Sequence, residues 1–600
     1  MSSAFRVLGP TTYAGSLDRL SPVVHGSTTP ATYKCGVYYF PGWSTPGGGP
    51  NPSDPWPLIT PYPDRIPLAL GQYDETNQTV VDTQLNWMYQ YGVTFVAIDW
   101  FMQWSGSTLQ PYLDHVITKY LTSAVSKPLF CIQFANQTNA GGLNTSTAHS
   151  LWDYWIANYF ADSNYYKIGN KPVVIINSGP TLRNNFASHA EVKSAFLDAG
   201  DAAAVTAGYA GIHWMDGQAD SSSAWIDVSD PAHGWTGVTG SNVYTTTKVS
   251  DNSAGPSPTT YADLDNAVFS GLVGGYRGFC YGWMNDPDIT VFWPPLTAGF
   301  DSTPWSPSTT LHGMPTSAEW GTHLSNAKTL LDANATQTQL TFMIEAWNEF
   351  GEGSILCPTV GNGGFDRLRQ LNSTFSLNAA DMTPAAFSFT DVTSATISTV
   401  YTSNTITATS IDVTGEYSVS GTGVTVSKNG GAYSADPGIY VVNDTFTLRL
   451  TSAATGNVAT SGTLTLSGVS DTYTVTTANT APTNITLSNS SVLTTSGVNA
   501  VVGTLSTTDI DIGQTYTYTL VAGTGSTNNA SFNISGANLR VNDPNALGAG
   551  SYSVRIQTDD GSATFAKAFS IDVFGPSTGR GLIKSIERNM IIALERPVAV

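Results

Sequence analysis

The stretch Leu340-Thr-Phe-Met-Ile-Glu-Ala-Trp-Asn-Glu-Phe-Gly-Glu-Gly-Ser354 decides how the first half of the chain is read. Leu340 to Ile344 is a short apolar run with β-branched and aromatic members, stopped by polar residues and glycine, which is the pattern of a buried strand. Behind it stand two carboxylates three positions apart, Glu349 and Glu352, flanked by Trp347, Asn348 and glycines. Cleaving a glycosidic bond needs such a pair. One carboxyl must hold a proton near neutrality while the other accepts one or bears charge, and an apolar wall lifts a carboxyl pKa. The glycines let the backbone turn sharply and admit a close substrate. A solvent-facing acidic loop fits the same letters, and the pattern alone weighs the two readings evenly.

Working outward, the same texture recurs upstream. Strand patterns at Cys35–Phe40, Thr94–Trp100, Leu129–Ala135, Pro172–Ile176, Ala203–Ile212, Gly237–Val243 and Ile289–Ala298 precede the one at Leu340–Ala346. Between them lie helical spacings at Val80–Tyr91, Leu113–Ser123, Trp152–Phe160, Ala187–Ala199, Leu264–Gly271 and Ser317–Asp332. Eight apolar strands alternating with helices predict a (β/α)8 TIM barrel over residues 34–378, behind an N-terminal arm or linker at 1–33. Such a barrel carries its site at the C-terminal strand ends. Those ends and the turns after them bear Tyr39, Trp43, Asp99, Trp100, Asn136, Asn177, Trp214, Tyr244, Asp301, Trp305, Trp347 and Asn348 beside the two glutamates. Aromatics, amides and acids together suit a sugar, whose ring faces stack and whose hydroxyls hydrogen-bond. Each aromatic taken singly is as well explained by core packing; their joint recurrence at strand ends carries the reading.

The totals set limits. The chain has 600 residues, too many for one core, with a formal net charge of −20 although only 11% of residues are charged. An acidic, neutral-polar chain argues against nucleic acid, which wants a basic stripe, and against anionic membrane surfaces. At 41% hydrophobic and 11% aromatic it has the means to bury cores. Cys35, Cys131, Cys280 and Cys357 lie far apart with no CxxC, so they read as buried small residues. The eight histidines are scattered and form no metal-ligand spacing, and no cofactor is expected in the barrel. No membrane span and no apolar secretion core is legible near Met1. The composition nonetheless looks extracellular, and a virion protein released by lysis satisfies both facts, as does export by a signal-independent route.

Past residue 375 tryptophan disappears and Thr, Ser, Val and Gly alternate with period two, as in Thr445-Phe-Thr-Leu-Arg-Leu-Thr451. This predicts two all-β sandwich domains, at 385–478 and 480–575, joined by a linker at 477–482. A final segment, 576–600, has Leu582, Ile583, Ile586, Met590, Ile591 and Leu594 at helical spacing and predicts a short amphipathic helix that docks on its own chain or on a partner.

Several separated stretches of the barrel resemble the glycoside hydrolase family 99-like, or WbsX-like, domains, in that family's order. They are Gly36-Val-Tyr-Tyr-Phe-Pro-Gly-Trp43, Tyr73-Asp-Glu75, Phe95-Val-Ala-Ile-Asp-Trp100, Lys167-Ile-Gly-Asn-Lys-Pro-Val173, Thr297-Ala-Gly-Phe-Asp301 with Pro304-Trp305, and Glu345 to Ser354. The resemblance implies an endo-acting, retaining glycosidase of the α-mannosidase type. It implies that Glu349 assists deprotonation of the sugar 2-hydroxyl, which attacks the anomeric carbon. Glu352 then protonates the leaving oxygen and later activates water, so the expected pKa is raised at Glu352 and ordinary or depressed at Glu349. The chain has Gly351 where the characterised mannosidases usually carry His, and Ser354 where they carry Thr, which places it nearer the WbsX-like branch. The sandwiches are similar to Ig-like phage and bacterial adhesion modules and to cadherin-like repeats. The latter resemblance implies weak calcium candidates at Asp509, Asp511 and Asp559 or Asp560.

Three readings follow. The first is a polysaccharide-cleaving glycosidase mounted on sandwiches, in the setting of a phage tail, virion or cell surface. The second is a glycan-binding adhesin that keeps the cleft without catalysis, and the third a structural virion component. Glycan is the expected partner, with no nucleic acid and no membrane insertion, and with oligomeric or surface assembly through the C-terminal domains.

Overall fold

The computed structural model of the protein describes residues 32–43, 55–105, 108–136, 142–217, 235–239, 249–250, 253–254, 260–269, 280, 284, 290–305 and 313–576. Nearly all of the N-terminal arm, the helix expected in 576–600, and Tyr244 lie outside the described residues.

Eight strands build the first domain: β1 (Lys34–Tyr39), β2 (Phe95–Ser105), β3 (Leu129–Phe134), β4 (Lys171–Ile176), β5 (His213–Asp216), β6 (Gly237–Val238), β7 (Pro295–Thr297) and β8 (Thr341–Glu345). They pair in parallel in the order β7-β8-β1-β2-β3-β4-β5-β6. The seam is closed by the segment before β7: Val238 N–H donates to Val291 O (3.0 Å) and Trp293 N–H to Val238 O (2.9 Å). The strands read as continuous apolar runs because both faces are covered, by helices outside and by the bore inside. A Cβ at Gly36 would collide with Met343 and Phe95, so positions 36, 95 and 343 share the bore. Alternation then brings Tyr38, Asp99 and Glu345 to the same interior at the C-terminal end. Stacked rings, Phe95 on Tyr166 (4.3 Å) and His213 on Trp293 (5.7 Å), fill the bore below them.

The helices follow their expected spacing. Gln78–Gln90 buries Val81, Leu85 and Met88, and starts where the Asn77 side chain accepts from Thr79 N–H (2.9 Å). Ser317–Ala333 opens with a capping box between Thr316 and Glu319. One expected strand is not there. Residues 198–206, Asp-Ala-Gly-Asp-Ala-Ala-Ala-Val-Thr, form a helix, and the strand begins only at His213. The alanine-rich composition favours helix, and glycines 208 and 211, both at positive φ, make the turn into β5.

Two sandwiches follow. In the first, a five-stranded sheet faces a four-stranded one, and Phe446, Leu448 and Leu450 of Thr445–Thr451 alternate inward. The second pairs two four-stranded sheets around Val554, Ile556, Ile571 and Val573. The barrel and the first sandwich share one continuous apolar core, whereas the second sandwich has its own. Across the first joint, Arg369 clasps Glu416 through both guanidinium nitrogens (2.7 and 2.6 Å) and Tyr91 O–H donates to Thr414 O (2.7 Å). No helix among the described residues is long and apolar enough to cross a membrane.

Candidate active site

The acid pair stands on a hairpin. Past β8, Asn348–Glu349 pairs antiparallel with Ser354–Ile355, and residues 350–353 turn between them. Gly353 at φ +70° makes the reversal. Phe350, at the tip, turns back into the protein and packs on Trp43 (4.9 Å), Trp56 (5.5 Å) and Tyr73 (6.1 Å). That anchor leaves the flanking Glu349 and Glu352 half-buried at the barrel mouth.

Further bonds fix the hairpin from behind. The Asn348 side chain accepts from Phe40 N–H (2.9 Å) and donates to Phe40 O (2.8 Å) and to Glu75 Oε1 (3.1 Å). Glu75, fully buried, also accepts from Tyr39 O–H (2.8 Å) and Trp43 N–H (3.0 Å). On the other side, Arg65 pairs with Asp301 Oδ2 (2.5 Å) and donates to Phe350 O (3.0 Å), while Asp301 N–H donates to Glu352 O (2.5 Å). Trp305 follows on this loop and stacks on Trp43 (6.1 Å, 27°).

The electrostatics are those of crowded acids. Burial first, then the charges of Glu352, Asp99 and Glu75, hold the Glu349 carboxyl well above the usual carboxylate range. Burial, and then Glu352, does the same to Asp99, whose Oδ1 is buried without a protein hydrogen-bond partner. Tyr38 and Glu345 face the same space, and burial and Glu345 help push the Tyr38 hydroxyl up. Like charges in a low-dielectric cleft oppose one another's ionisation, so each acid raises its neighbours' affinity for a proton. The expectation for Glu349 is corrected here: burial and the charges of three neighbouring carboxylates raise its pKa, where an ordinary or depressed one was expected.

Among the residues singled out in the sequence, the structure brings together Glu349, Glu352, Asp99, Trp305 and, beneath it, Trp43. Asn177 reaches the same end of the bore and accepts from Gln133 Nε2 (3.0 Å). The others are corrected by strand pleat or by prior bonds. Trp100, next to inward-facing Asp99, points outward onto Phe134, Tyr154 and Trp155. Trp214 points outward to Asp201 (3.0 Å) and Trp347 to Gln84 of the Gln78–Gln90 helix (2.8 Å). Asn136 staples β3 to β4 through Ser178 N–H (2.9 Å) and O (2.7 Å). Tyr39, Asn348 and Asp301 are buttresses whose polar atoms are engaged as described above. Glu75 was legible only as part of a motif, and Tyr38 and Glu345 carried no separate signal beyond their alternation along the strand.

The cadherin-like residues give an incomplete oxygen cage. Asp509 Oδ2 and Asp511 Oδ1 are buried without protein donors. Asp559 instead accepts from Gly561 N–H (2.8 Å), and Asp511 Oδ2 accepts from Thr480 N–H (2.7 Å). No group of three or more His, Cys, Asp or Glu among the described residues is placed to hold a metal ion. The calcium set Asp509, Asp511 and Asp559 is therefore not assembled.

Among solved structures, the chain is similar to a glycoside hydrolase-like protein at 13% identity and a TM-score of 0.43, covering 60% of this chain and 97% of that one. It is also similar to the family 99 endo-α-mannosidase from Bacteroides thetaiotaomicron at 15% identity and a TM-score of 0.40, covering 58% and 97%. The sandwiches are similar to extracellular domains of a mouse clustered protocadherin at 13% identity and a TM-score of 0.23, covering 33% and 68%. No curated protein matches the chain. The sequence pattern of the family described as glycosyltransferase WbsX matches residues 61–365, which span the barrel from the loop after β1 through the acid hairpin. The chain belongs to the WbsX glycosyltransferase family.

Proposed function

We propose that this family member is an endo-acting, retaining glycosidase acting on an α-mannoside-like surface polysaccharide. The observation that carries the reading is the hairpin that sets Glu349 and Glu352 close to each other and to Asp99 in a cleft crowded with acids. Glu349, with its affinity for protons raised by its neighbours, takes the proton of the sugar 2-hydroxyl as that oxygen attacks the anomeric carbon. Glu352 gives a proton to the leaving oxygen and recovers one from the water that opens the 1,2-anhydro intermediate at the anomeric carbon, while Glu349 returns its proton to O2. The family's description as a glycosyltransferase fits the same two acids. In that case an acceptor hydroxyl takes the place of water in the second step. The composition of the sandwiches supports mounting on a cell surface or virion.

Reducing-end release from α-mannan and from a panel of bacterial surface polysaccharides tests the reading. Glu352→Gln is expected to lose about a hundred- to ten-thousand-fold in rate. A new glycosidic bond in place of a new reducing end identifies a transferase. Binding without any turnover, unchanged in Glu352→Gln, identifies an adhesin and ends the enzyme reading.

A further inference from the structure

We propose that Trp305 is the stacking platform for the sugar on the leaving-group side of the cleft, that position 351 is glycine because the Trp305 indole lies over it, and that the ring it takes is an uncharged pyranose. The proposal rests on the glycosidase reading above.

Trp305 is 38% exposed, while Trp43, Trp56 and Trp347 nearby are buried. A large indole left facing water at a concave acidic site is apolar area that a sugar's C–H face covers favourably. The ring is held before any ligand arrives. Its plane rests on Trp43, and the Trp305 backbone N–H donates to Ser302 O (2.9 Å) and fixes the turn that carries it. A Cβ built at Gly351 falls inside the indole, against Cε2 and Nε1. Gly351 lies between the two acids, so the platform borders both. Its loop is bonded to one of them, since Asp301 N–H holds Glu352 O. Glu352 is the acid that meets the leaving oxygen, so the platform lies on the leaving-group side. Stacking on a rigid surface costs little ordering, which favours binding.

The uncharged ring follows from the neighbours. Asp99, Glu349 and Glu352 are all acids, and Arg65, the guanidinium behind them, is already engaged by Asp301 and Phe350 O. Among the described residues of the site no cation is left to meet a uronate or a phosphorylated sugar.

The test compares α-mannan with α-mannobiosyl fluoride, whose leaving group has no ring to stack. In the full chain, Trp305→Ala is expected to lower kcat/KM on mannan roughly tenfold or more and to leave the fluoride within about twofold. Trp305→Phe should keep most of the mannan rate. Gly351→Ala places a methyl where the indole lies and should reproduce the Trp305→Ala pattern, with the double variant no worse than either single one. Equal losses on both substrates, an unchanged mannan rate in Trp305→Ala, or additive losses overturn the proposal. So does cleavage of a C6-oxidised, anionic mannan as fast as the neutral polymer. If the wild type cleaves neither substrate, the glycosidase reading has failed and affinity electrophoresis in mannan gels decides this one. Retardation lost in Trp305→Ala supports the platform, whereas retardation unchanged or absent in the wild type overturns it.

Discussion

Asp99 shows what a single residue contributes here. It is the fifth residue of β2, inward by alternation, with one oxygen buried and unmet by protein donors. Its folded-state pKa is raised, so the folded protein binds a proton there more tightly than the unfolded chain. The stability this contributes is full below the unfolded value, about pH 4, and is lost as pH rises toward the folded value. Asp99→Asn removes that term. Melting curves of wild type and variant at pH 5 and pH 8 should show a smaller fall with pH in Asp99→Asn, by roughly a few degrees. Parallel curves for the two proteins would mean that Asp99 is ionised in the folded state and hydrogen-bonded in some other way. The same residue illustrates how narrow the margin of legibility is. Asp99 and Trp100 are neighbours in sequence and equal candidates by type, yet the pleat sends one into the bore and the other into the helix layer.

At the scale of the element, the hairpin from Asn348 to Ile355 is held by one aromatic side chain and a ring of buried polar bonds. Phe350→Ala should destabilise the barrel by about 3–5 kcal/mol through lost burial and the cavity left among Trp43, Trp56 and Tyr73. Phe350→Leu, which keeps most of the volume, should cost far less. Urea unfolding followed by tryptophan fluorescence reads the difference, and equal midpoints for the two variants would show that the hairpin does not depend on this anchor. The strand run and the Glu349–Glu352 spacing were legible because both are local. The buttress was not, because Glu75, Arg65 and Asp301 lie far from the hairpin in sequence, and each looks like any polar loop residue until the fold brings them together. For the same reason Asp301, Asn348 and Tyr39 read as ligand groups when their polar atoms in fact serve the scaffold.

For the whole molecule, the continuity of the core decides how the domains cooperate. The first sandwich is joined to the barrel through Gln90, Tyr91 and Arg369 meeting Thr414 and Glu416, with no break in the apolar core. The second sandwich packs around its own cluster. Calorimetry of the full chain should therefore show the barrel and first sandwich unfolding together and the second sandwich in a transition of its own. Glu416→Ala should shift the shared transition downward and leave the other in place. Three separate transitions, or a shift of the second sandwich, would contradict a shared core.

The sequence by itself determined the architecture: a barrel of buried parallel strands, two sandwiches of alternating strands, and an acid pair after the eighth strand. These are written in short-range periodicity and in spacings of a few residues, which a chain cannot hide. Only the tertiary structure decided which strand-end residues face the cleft, which acids crowd one another and raise the Glu349 pKa, and why Gly351 has no side chain. Those outcomes depend on through-space distances between groups such as Glu75 and Glu349, or Trp305 and Gly351. Burial, charge repulsion and steric exclusion act across space, whatever the separation along the chain.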